Sequence, residues 1–555
     1  MKRKLLSILV MVVLITGIMV IPVQAATQEE INQAIADGVA WLADDQESDG
    51  SWPAYWEDIA TTGLAVLKLE HRAYDLGYDS PFDPEYEYSS NVTAGLDYLF
   101  GSTRLLSQAI DVQDHTGAAS GSIDDPDSNS NGIGLYAHGS SYPFDVYDTG
   151  IVLAAIAASG APDRLVSVPG SVVDGWKFSD VAQDMVDWLA WAQSDFNWSV
   201  TGAGEGGWTY EALDNQGKGM HSYGPDNSNS GYAVLGLAYA QDFGCTIPEW
   251  VKTELDAYID DVQDPVGGDA YDGGSWYDHP GDNIGVNILK TGNLLMEMAL
   301  VGDTPTISRV IDALDYLARH WGDASGPNLP PGWDGDPAQY QTMFTTMKGL
   351  EYMGIETFKD ELDNDIDWYD DFADAIVSQQ NVDGSWTSSS GRGNATIITA
   401  WALLVLEKTA PPPPEPDEIE VSVDVKPMSC PNPLQTKGGG VLPIAILGTA
   451  DIDITQIDPA SILLEGVPPI RWATEDVATP YGDPFSEPPS CLDCTEDGPD
   501  GFMDLTLKFD KKAVVDALGE VEDGDCMLLS LTGNLKEEFG STPITGEDVV
   551  RIVEK

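Results

Sequence analysis

The chain has 555 residues, of which 92 are acidic and 26 are basic, so its formal net charge is −66. This charge excludes nucleic acids and anionic membranes as partners, because both would repel the protein. Hydrophobic residues make up 42% of the chain, which is enough for large buried cores, and the length predicts more than one domain. Self-repulsion at this charge predicts bound calcium or a salty environment, unless the charge serves solubility alone.

The N-terminus has the three parts of an export signal. Residues 1–4 are basic, residues 5–21 are almost entirely apolar, and residues 23–25 (Val-Gln-Ala) offer a small-residue cleavage site. Residues 1–26 are therefore predicted to be a signal peptide, and the mature protein to be secreted or held at the cell surface. An apolar run of about 17 residues reaches the lower limit of a membrane span, so an uncleaved anchor is the alternative.

A short sequence recurs along residues 27–410. It begins with glutamine, passes through an Asp-Gly-Ser turn and ends with tryptophan at residues 46–52 and 380–386, and reduced copies lie between them. Glycine permits the positive φ that ends a helix, and we expect the tryptophan to stack under the glutamine and lock neighbouring hairpins together. The residues interpreted as this structural repeat are Gln46, Trp52, Trp208, Trp276, Trp333, Gln380 and Trp386.

Helical periodicity surrounds each copy of the repeat. Amphipathic outer helices are predicted near residues 28–45, 89–108, 178–194, 249–263, 305–320 and 357–380. Small-residue inner helices are predicted near residues 58–70, 146–159, 227–241, 283–300, 338–353 and 394–407. These elements make six helical hairpins, so the sequence predicts a mainly α fold in which an (α/α)6 toroid occupies residues 27–410.

At these residues the sequence resembles the QW repeats of the squalene-hopene cyclase and protein prenyltransferase superfamily, over roughly residues 28–408. The resemblance implies an α/α toroid with a central pocket reached from the N-termini of the inner helices. It does not imply a shared reaction, because function depends on the site rather than on the fold.

Triterpene cyclases of this family carry an Asp-X-Asp-Asp acid motif before an inner helix. The corresponding segment here begins at Asp145 and ends at Asp148, and Tyr147 stands at the position of the proton donor. A phenol with a pKa near 10 is a poor acid for protonating an alkene. Asp145 and Asp148 stay candidate catalytic residues, and capping of a helix N-terminus is the alternative for both.

Protein prenyltransferases, by the same resemblance, hold a zinc ion with Asp, Cys and His on inner helices. The helical region has a single cysteine, Cys245, without an Asp-X-Cys sequence around it, and its histidines are scattered. We therefore expect no zinc in the toroid.

Polar residues on the turns before the inner helices are the remaining candidates for a site. Carboxylates beside aromatic rings suit the binding or cleavage of sugars, whereas solvated turns and helix caps are the plain alternatives. These residues are Asp226, Asn227, Asn229, Asp278, His279, Asp282, Asn283, Asp334, Asp336, Arg392 and Asn394. The catalytic candidates among them are Asp226, Asp278, His279, Asp282 and Arg392.

Two segments are candidates for calcium binding, and calcium is the cofactor that the sequence suggests. Residues 127–132 match the first half of an EF-hand loop, but His138 replaces the glutamate at its twelfth position, so an acid from elsewhere is needed. The first site would use Asp127, Asn129 and Asn131, and the second would use Asp493, Asp497, Asp500 and Asp504. Ordinary turns are the alternative for the first segment.

A proline-rich linker at residues 411–418 separates the toroid from a small all-β, sandwich-like domain at residues 419–555. Cys430, Cys491, Cys494 and Cys526 predict two disulfides in an exported chain. The short spacing disfavours a bond between Cys491 and Cys494, so Cys430 and Cys526 are their partners in either order. A tetrathiolate zinc site is the alternative. The domain resembles a C-terminal module that recurs on exported prokaryotic proteins, which implies a role in attachment or stabilisation.

Three functions fit these features. The first is a secreted or cell-surface protein that binds an extracellular ligand, such as a glycan, in the toroid, with the cell envelope as a further partner. The second is a lyase or hydrolase acting on polysaccharide, and the third is a divergent terpenoid cyclase. The sequence does not decide whether the protein is an enzyme.

Overall fold

A computed structural model describes most of the chain. The described residues are 25–53, 58–114, 119–121, 123–139, 144–194, 205–212, 224–265, 267–281, 285–324, 332–360, 362–387, 394–413, 419–449, 452–482, 485–486, 488–519, 521–536 and 542–554. The predicted signal peptide, apart from Ala25 and Ala26, lies outside them. In the described part, no helix combines the length and the apolar character that a membrane span requires.

Twelve helices before residue 410 form six hairpins in the described chain. The outer helices are α1 (Gln28–Asp44), α3 (Ser89–Leu99), α5 (Phe178–Ala192), α7 (Glu249–Val262), α9 (Ser308–His320) and α11 (Trp368–Ser378). The inner helices are α2 (Asp58–Asp75), α4 (Asp145–Ala158), α6 (Asn227–Asp242), α8 (Ile288–Leu300), α10 (Tyr340–Tyr352) and α12 (Ala395–Leu406). Outer helices such as α1 bury one face, whereas α6, α8 and α12 are buried on nearly all sides. The fold is therefore the predicted helical toroid.

Small residues let the inner helices approach each other closely. A Cβ atom on Gly150 of α4 would overlap the backbone of Tyr232 in α6, and one on Gly292 of α8 would meet the backbone of Thr346 in α10. The ring closes where α12 packs on α2 and where Gln380, after α11, donates a hydrogen bond to the carbonyl oxygen of Ala34 in α1 at 2.8 Å.

Two predicted outer helices are wrong in part. The helix predicted over residues 89–108 ends at Leu99, and β1 (Leu105–Ala109) then pairs antiparallel with β4 (Ile133–Ala137). Between them β2 (Gln113–Asp114) pairs with β3 (Ile123–Asp124). The helix predicted over residues 357–380 is preceded by a hairpin of β5 (Thr357–Lys359) and β6 (Asp365–Asp367). Asp363 adopts a positive φ of 64° in its turn, and Asp and Asn favour such turns over helix interiors.

The C-terminal region forms a β-sandwich. One sheet contains β12 (Arg471–Glu475), β13 (Asp504–Asp510), β10 (Val441–Ile446) and β8 (Val423–Val425), in that order. The other contains β11 (Leu463–Leu464), β14 (Cys526–Asn534), β15 (Pro543–Val553) and β7 (Ile419–Glu420), with β9 (Pro433–Gln435) also paired to β15. A short helix, α13 (Lys511–Ala517), follows β13. Ile444 and Leu507 from the first sheet share a buried core with Leu529 and Val550 from the second.

Disulfides join Cys430 to Cys494 and Cys491 to Cys526. This pairing is one of the two disulfide pairings that the sequence predicted. It contradicts the alternative in which the four cysteines hold a zinc ion. Disulfides fit an oxidising, extracellular environment.

Contacts between Cα atoms divide the chain into two compact units. The first consists of Met1–Leu294, Ala313–Glu351 and Ile355–Pro411, and the second of Leu295–Asp312, Tyr352–Gly354 and Pro412–Lys555. The second unit therefore contains the β-sandwich and two short stretches of the helical region.

Candidate functional site

The glutamines of the repeat act by hydrogen bonding. Gln46 donates to the carbonyl oxygens of Gly50 at 2.9 Å and of Asn91 in α3 at 3.0 Å. Trp52 is buried, and its indole nitrogen donates to the carbonyl oxygen of Leu42 at 2.7 Å. The glutamine therefore joins its own turn to the next outer helix, and the stacking of tryptophan under glutamine stays a prediction.

Two glutamines that were not predicted as part of the repeat make similar hydrogen bonds: Gln193 makes both bonds of the clamp, and Gln263 makes the bond to its own turn. Gln193 donates to the carbonyl oxygens of Gly206 at 2.7 Å and of Val251 in α7 at 3.0 Å. Gln263 donates to the carbonyl oxygen of Gly273 at 2.9 Å. Gln193 and Gln263 directly follow α5 and α7, and Gln380 lies two residues after the end of α11. A position at the end of an outer helix was the signal that could have identified them.

Four tyrosines gather near the N-termini of α4, α6 and α8, and we call them the tyrosine cluster: Tyr147, Tyr210, Tyr232 and Tyr277. The ring centroids of Tyr147 and Tyr232 are 4.1 Å apart, and the hydroxyl groups of Tyr210 and Tyr277 are 3.0 Å apart. Tyr232 is buried, whereas the other three are half-buried. Burial, followed by the nearby carboxylate of Asp226, raises the pKa of Tyr277, so its phenol stays protonated.

Two buried lysines cover faces of these rings. The Lys290 ammonium lies 4.7 Å from the ring centroid of Tyr277, and the Lys348 ammonium lies 4.6 Å from that of Tyr232. Lys348, which is fully buried, also donates to the carbonyl oxygen of Gly231 at 2.7 Å. A cation over an aromatic face is attracted by the ring quadrupole, so this region combines rings with positive charge.

Asp145 begins α4 beside the tyrosine cluster. Its Oδ1 lies 2.8 Å from Nδ1 of His138, and 15% of its side chain is exposed. Burial raises the pKa of this carboxyl group, and His138 opposes the shift. Asp148 is almost completely buried in the first turn of the same helix. A half-buried acid held by a histidine can keep or release a proton near the rings.

Asp226 is the N-cap of α6. Its Oδ1 accepts hydrogen bonds from the backbone nitrogens of Ser228 at 2.8 Å and Asn229 at 3.1 Å, and its Oδ2 accepts one from the Asn229 amide at 2.7 Å. Asn227 is buried and receives hydrogen bonds from the Asn293 side chain on α8. These groups orient the helix ends of the cluster.

Backbone hydrogen bonds connect several predicted site residues to the cluster. Val146 donates to the carbonyl oxygen of Tyr210 at 3.2 Å, and Asn227 donates to that of Tyr277 at 2.7 Å. Asp278 follows Tyr277 directly, and its Oδ1 lies 2.6 Å from Nδ1 of His279 in an adjacent, partly exposed pair. The structure thus brings Asp145, Asp226 and the Asp278–His279 pair to one region.

The remaining candidates are placed differently. Asp334 and Asp336 are exposed in the turn before α10, and Asn394 caps α12 by accepting from the backbone of Ile397. Asp282, Asn283 and Arg392 lie outside the described residues.

The EF-hand-like loop meets two acids on α5 that the sequence analysis missed. The amides of Asn129 and Asn131 contact the two carboxylate oxygens of Asp184 at 2.5 and 2.8 Å. The Ser128 hydroxyl contacts Asp187 at 2.9 Å. Both acids are buried, and burial raises the pKa of Asp187 to about 7. His138, the twelfth residue counted from Asp127, instead pairs with Asp145.

The second calcium candidate is dispersed. Asp493 accepts from the backbone nitrogens of Ser486 and Ser490, whereas Asp504 is buried and accepts from those of Gly448 and Val477. Asp497 and Asp500 are exposed. In the described chain, the acidic group whose oxygens lie within 4.8 Å of one another is a different one, formed by Asp264, Asp269 and Asp272.

A second polar cluster, also missed, lies at the C-terminal ends of α2, α6 and α12. Lys68 and Arg72 both pair with Glu407, and His71 Nε2 lies 3.0 Å from the Tyr239 hydroxyl. Burial lowers the pKa of Lys68 to about 7 and that of His71 to about 3. The cluster ties three inner helices together through buried polar groups.

Comparison with known proteins finds a fold likeness only. No family model matches the chain, and no curated protein does. A type II terpene cyclase, MstE from Scytonema, is similar in its apo form with a TM-score of 0.39 and 14% identity, over 68% of this chain and 98% of that chain. A variant of MstE in complex with geranylgeranyl dihydroxybenzoate gives a TM-score of 0.37 and 14% identity, over 69% and 97%. A protein from Actinoplanes gives a TM-score of 0.36 and 16% identity, over 68% and 99%. Likeness at this level says nothing about activity.

Proposed function

We propose that this is an extracellular binding protein whose tyrosine cluster takes a polar, hydroxyl-rich ligand, with glycans as the ligand class. The observation that carries the proposal is the placement of Lys290 over Tyr277 and of Lys348 over Tyr232. The half-buried rings of Tyr147 and Tyr210 offer flat surfaces to the C–H faces of sugars. The ammonium, phenol and carboxyl groups around them offer hydrogen bonds to sugar hydroxyls.

The same placement disfavours a carbocation at this site. Cation stabilisation would need free ring faces, and the two ammonium groups already cover faces of Tyr277 and Tyr232. The region also contains buried polar side chains, including Asn227 and Asn293, so it does not have the character of an apolar cavity.

Calorimetric titration of the secreted protein against a glycan panel tests the proposal. Lys290→Gln should weaken a bound glycan about tenfold, equivalent to roughly 1.4 kcal/mol. Lys408→Gln is the matched control. The Lys408 ammonium also lies over an aromatic ring, 4.9 Å from the ring centroid of Trp368. It pairs with Glu351 at the opposite ends of the inner helices, away from the tyrosine cluster. Equal weakening by both variants, or no glycan binding at all, would contradict the proposal.

A second candidate is acid catalysis by Asp145, favoured by its raised pKa and its contact with His138. Such an acid could protonate a glycosidic oxygen, as polysaccharide hydrolases require, or an alkene, as a terpenoid cyclase requires. Product analysis with polysaccharides and with polyprenyl substrates separates the two reactions. Asp145→Asn should abolish turnover and retain binding; turnover that survives this change would remove Asp145 as the acid.

A further inference from the structure

A pocket in the β-sandwich is lined by basic side chains. Its volume is about 410 Å³, and Lys426 and Lys508 lie in its wall together with the hydroxyl-bearing Ser429 and Thr506. Pro427, Met428 and Pro443 supply apolar surface, and Glu475 supplies the one carboxylate of the lining. This volume is at the lower end of the range of roughly 300–1,000 Å³ that small-molecule pockets occupy.

Strand register places the positive charges side by side. Pro443 of β10 pairs with Lys508 of β13, which pairs in turn with Arg471 of β12. On the other side, the backbone nitrogen of Lys426 donates to the carbonyl oxygen of Pro443 at 3.0 Å. Directly opposed residues of antiparallel strands project from the same face. Lys508 and Arg471 therefore extend over one face of the sheet, and Lys426 flanks it.

These cations have no acidic partner in the described residues. No carboxylate there lies within 4.0 Å of Lys426, Lys508 or Arg471, although the chain has 92 acidic residues. Lys426 donates to the carbonyl oxygen of Pro433, and the nearby Lys511 adds further positive charge. Glu475 is the single carboxylate beside these cations in the pocket lining, so most of their charge is available to an anion.

The wall beside Lys426 is fixed in an unusual conformation. Lys426 and Met428 have positive φ values of 63° and 66°, and Cys430, which follows them, is bonded to Cys494. Residues other than glycine rarely adopt this conformation, and such residues cluster at ligand sites. The bend turns the Lys426–Ser429 segment into a side of the pocket.

We propose that this pocket binds a small anionic sugar, with Lys426 and Lys508 contacting its acidic group and Ser429 and Thr506 its hydroxyls. A bare inorganic ion would leave most of the volume unfilled, and an apolar acid would leave the hydroxyls facing carbon. Charge-assisted hydrogen bonds from two ammonium groups supply the selectivity for the anion. The site involves only the β-sandwich, so it stands whether or not the tyrosine cluster binds a glycan.

Calorimetric titration of the secreted full-length protein with glucuronate, glucose 6-phosphate, glucose and inorganic phosphate tests the proposal. One of the two sugar anions should bind at least about tenfold more tightly than glucose and than inorganic phosphate, and which one binds distinguishes a carboxylate from a phosphate. Added NaCl should weaken this binding.

Variants keep the test independent of folding. Lys508→Gln should weaken the sugar anion about tenfold, whereas Glu475→Gln should strengthen it, because it removes the repelling carboxylate; a folding defect would not strengthen binding. Lys512→Gln is the control, since Lys512 is exposed on α13 and already pairs with Asp516 at 2.5 Å. Glucose binding as tightly as both sugar anions, or unchanged affinity in Lys508→Gln and Glu475→Gln, would overturn the proposal.

Discussion

Asp424 in β8 is a carboxyl group placed where ionisation is costly. Its side chain is almost completely buried, and its Oδ2 has no hydrogen-bond partner among the described residues. Burial, followed by the charge of Asp504, raises the pKa of Asp424 to about 7. In the unfolded chain the pKa of an aspartate is about 3.9. The folded protein therefore holds this proton more tightly, and the stability that it contributes is lost as the pH rises from about 4 to about 7.

Asp424→Asn should consequently raise the free energy of unfolding at pH 8 by about 1–2 kcal/mol and leave it nearly unchanged at pH 4. Denaturant unfolding at several pH values measures both quantities. Asp497→Asn serves as the control, because Asp497 is exposed. A variant whose stability runs parallel to that of the wild type across this range would show that Asp424 is not the titrating group.

Helix α5 supplies two acids that face the EF-hand-like loop and that the loop motif itself does not contain. The loop at residues 127–132 supplies oxygens at alternating positions, and the sequence analysis required an acid from elsewhere. Asp184 and Asp187 are i and i+3 on α5, so they lie on the same helix face, and both contact the loop. The sequence could not assign Asp184 and Asp187 to this loop. Acidic residues on the outer helices are numerous, and which of them face the loop depends on how the helices pack.

We expect calcium to bind between this loop and α5. Two buried neighbouring carboxylates repel each other unless protons or a cation neutralise them, and calcium prefers such oxygen ligands. Calcium should therefore raise the melting temperature more than magnesium does at equal ionic strength. Asp184→Asn should abolish this difference, whereas Asp180→Asn, an exposed change in the first turn of α5, should preserve it. Identical responses in both variants would exclude the site.

At the scale of the whole molecule, the toroid depends on joining its last hairpin to its first. Gln380 donates both to Gly384 of its own turn, at 2.9 Å, and to Ala34 of α1. The repeat predicted a clamp at this glutamine. The predicted toroid also required the last hairpin to meet the first. The sequence did not identify Ala34 as the acceptor, since a repeat describes each unit and not which residue of the next unit it contacts.

Gln380→Ala should lower the free energy of unfolding by about 1–3 kcal/mol, because the half-buried carbonyl oxygens lose their donor. Gln28→Ala is the matched control on α1, where the Gln28 amide makes an exposed contact with Asn32, and it should change stability by less than about 0.5 kcal/mol. Chemical denaturation compares the two variants. Equal effects would show that the closing hydrogen bond contributes nothing specific.

The sequence by itself determined the six helical hairpins, their order and the change to β-structure after the linker, because periodicity and turn chemistry are local. The helix prediction was wrong at residues 100–109 and 357–367, where short antiparallel pairs of β-strands occur instead of helix. Only the tertiary structure decided the order of the disulfides, the lysines over the tyrosine rings, the acids facing the calcium-like loop and the basic pocket of the sandwich. Each of these joins residues far apart in the chain, and their proximity follows from how the elements pack.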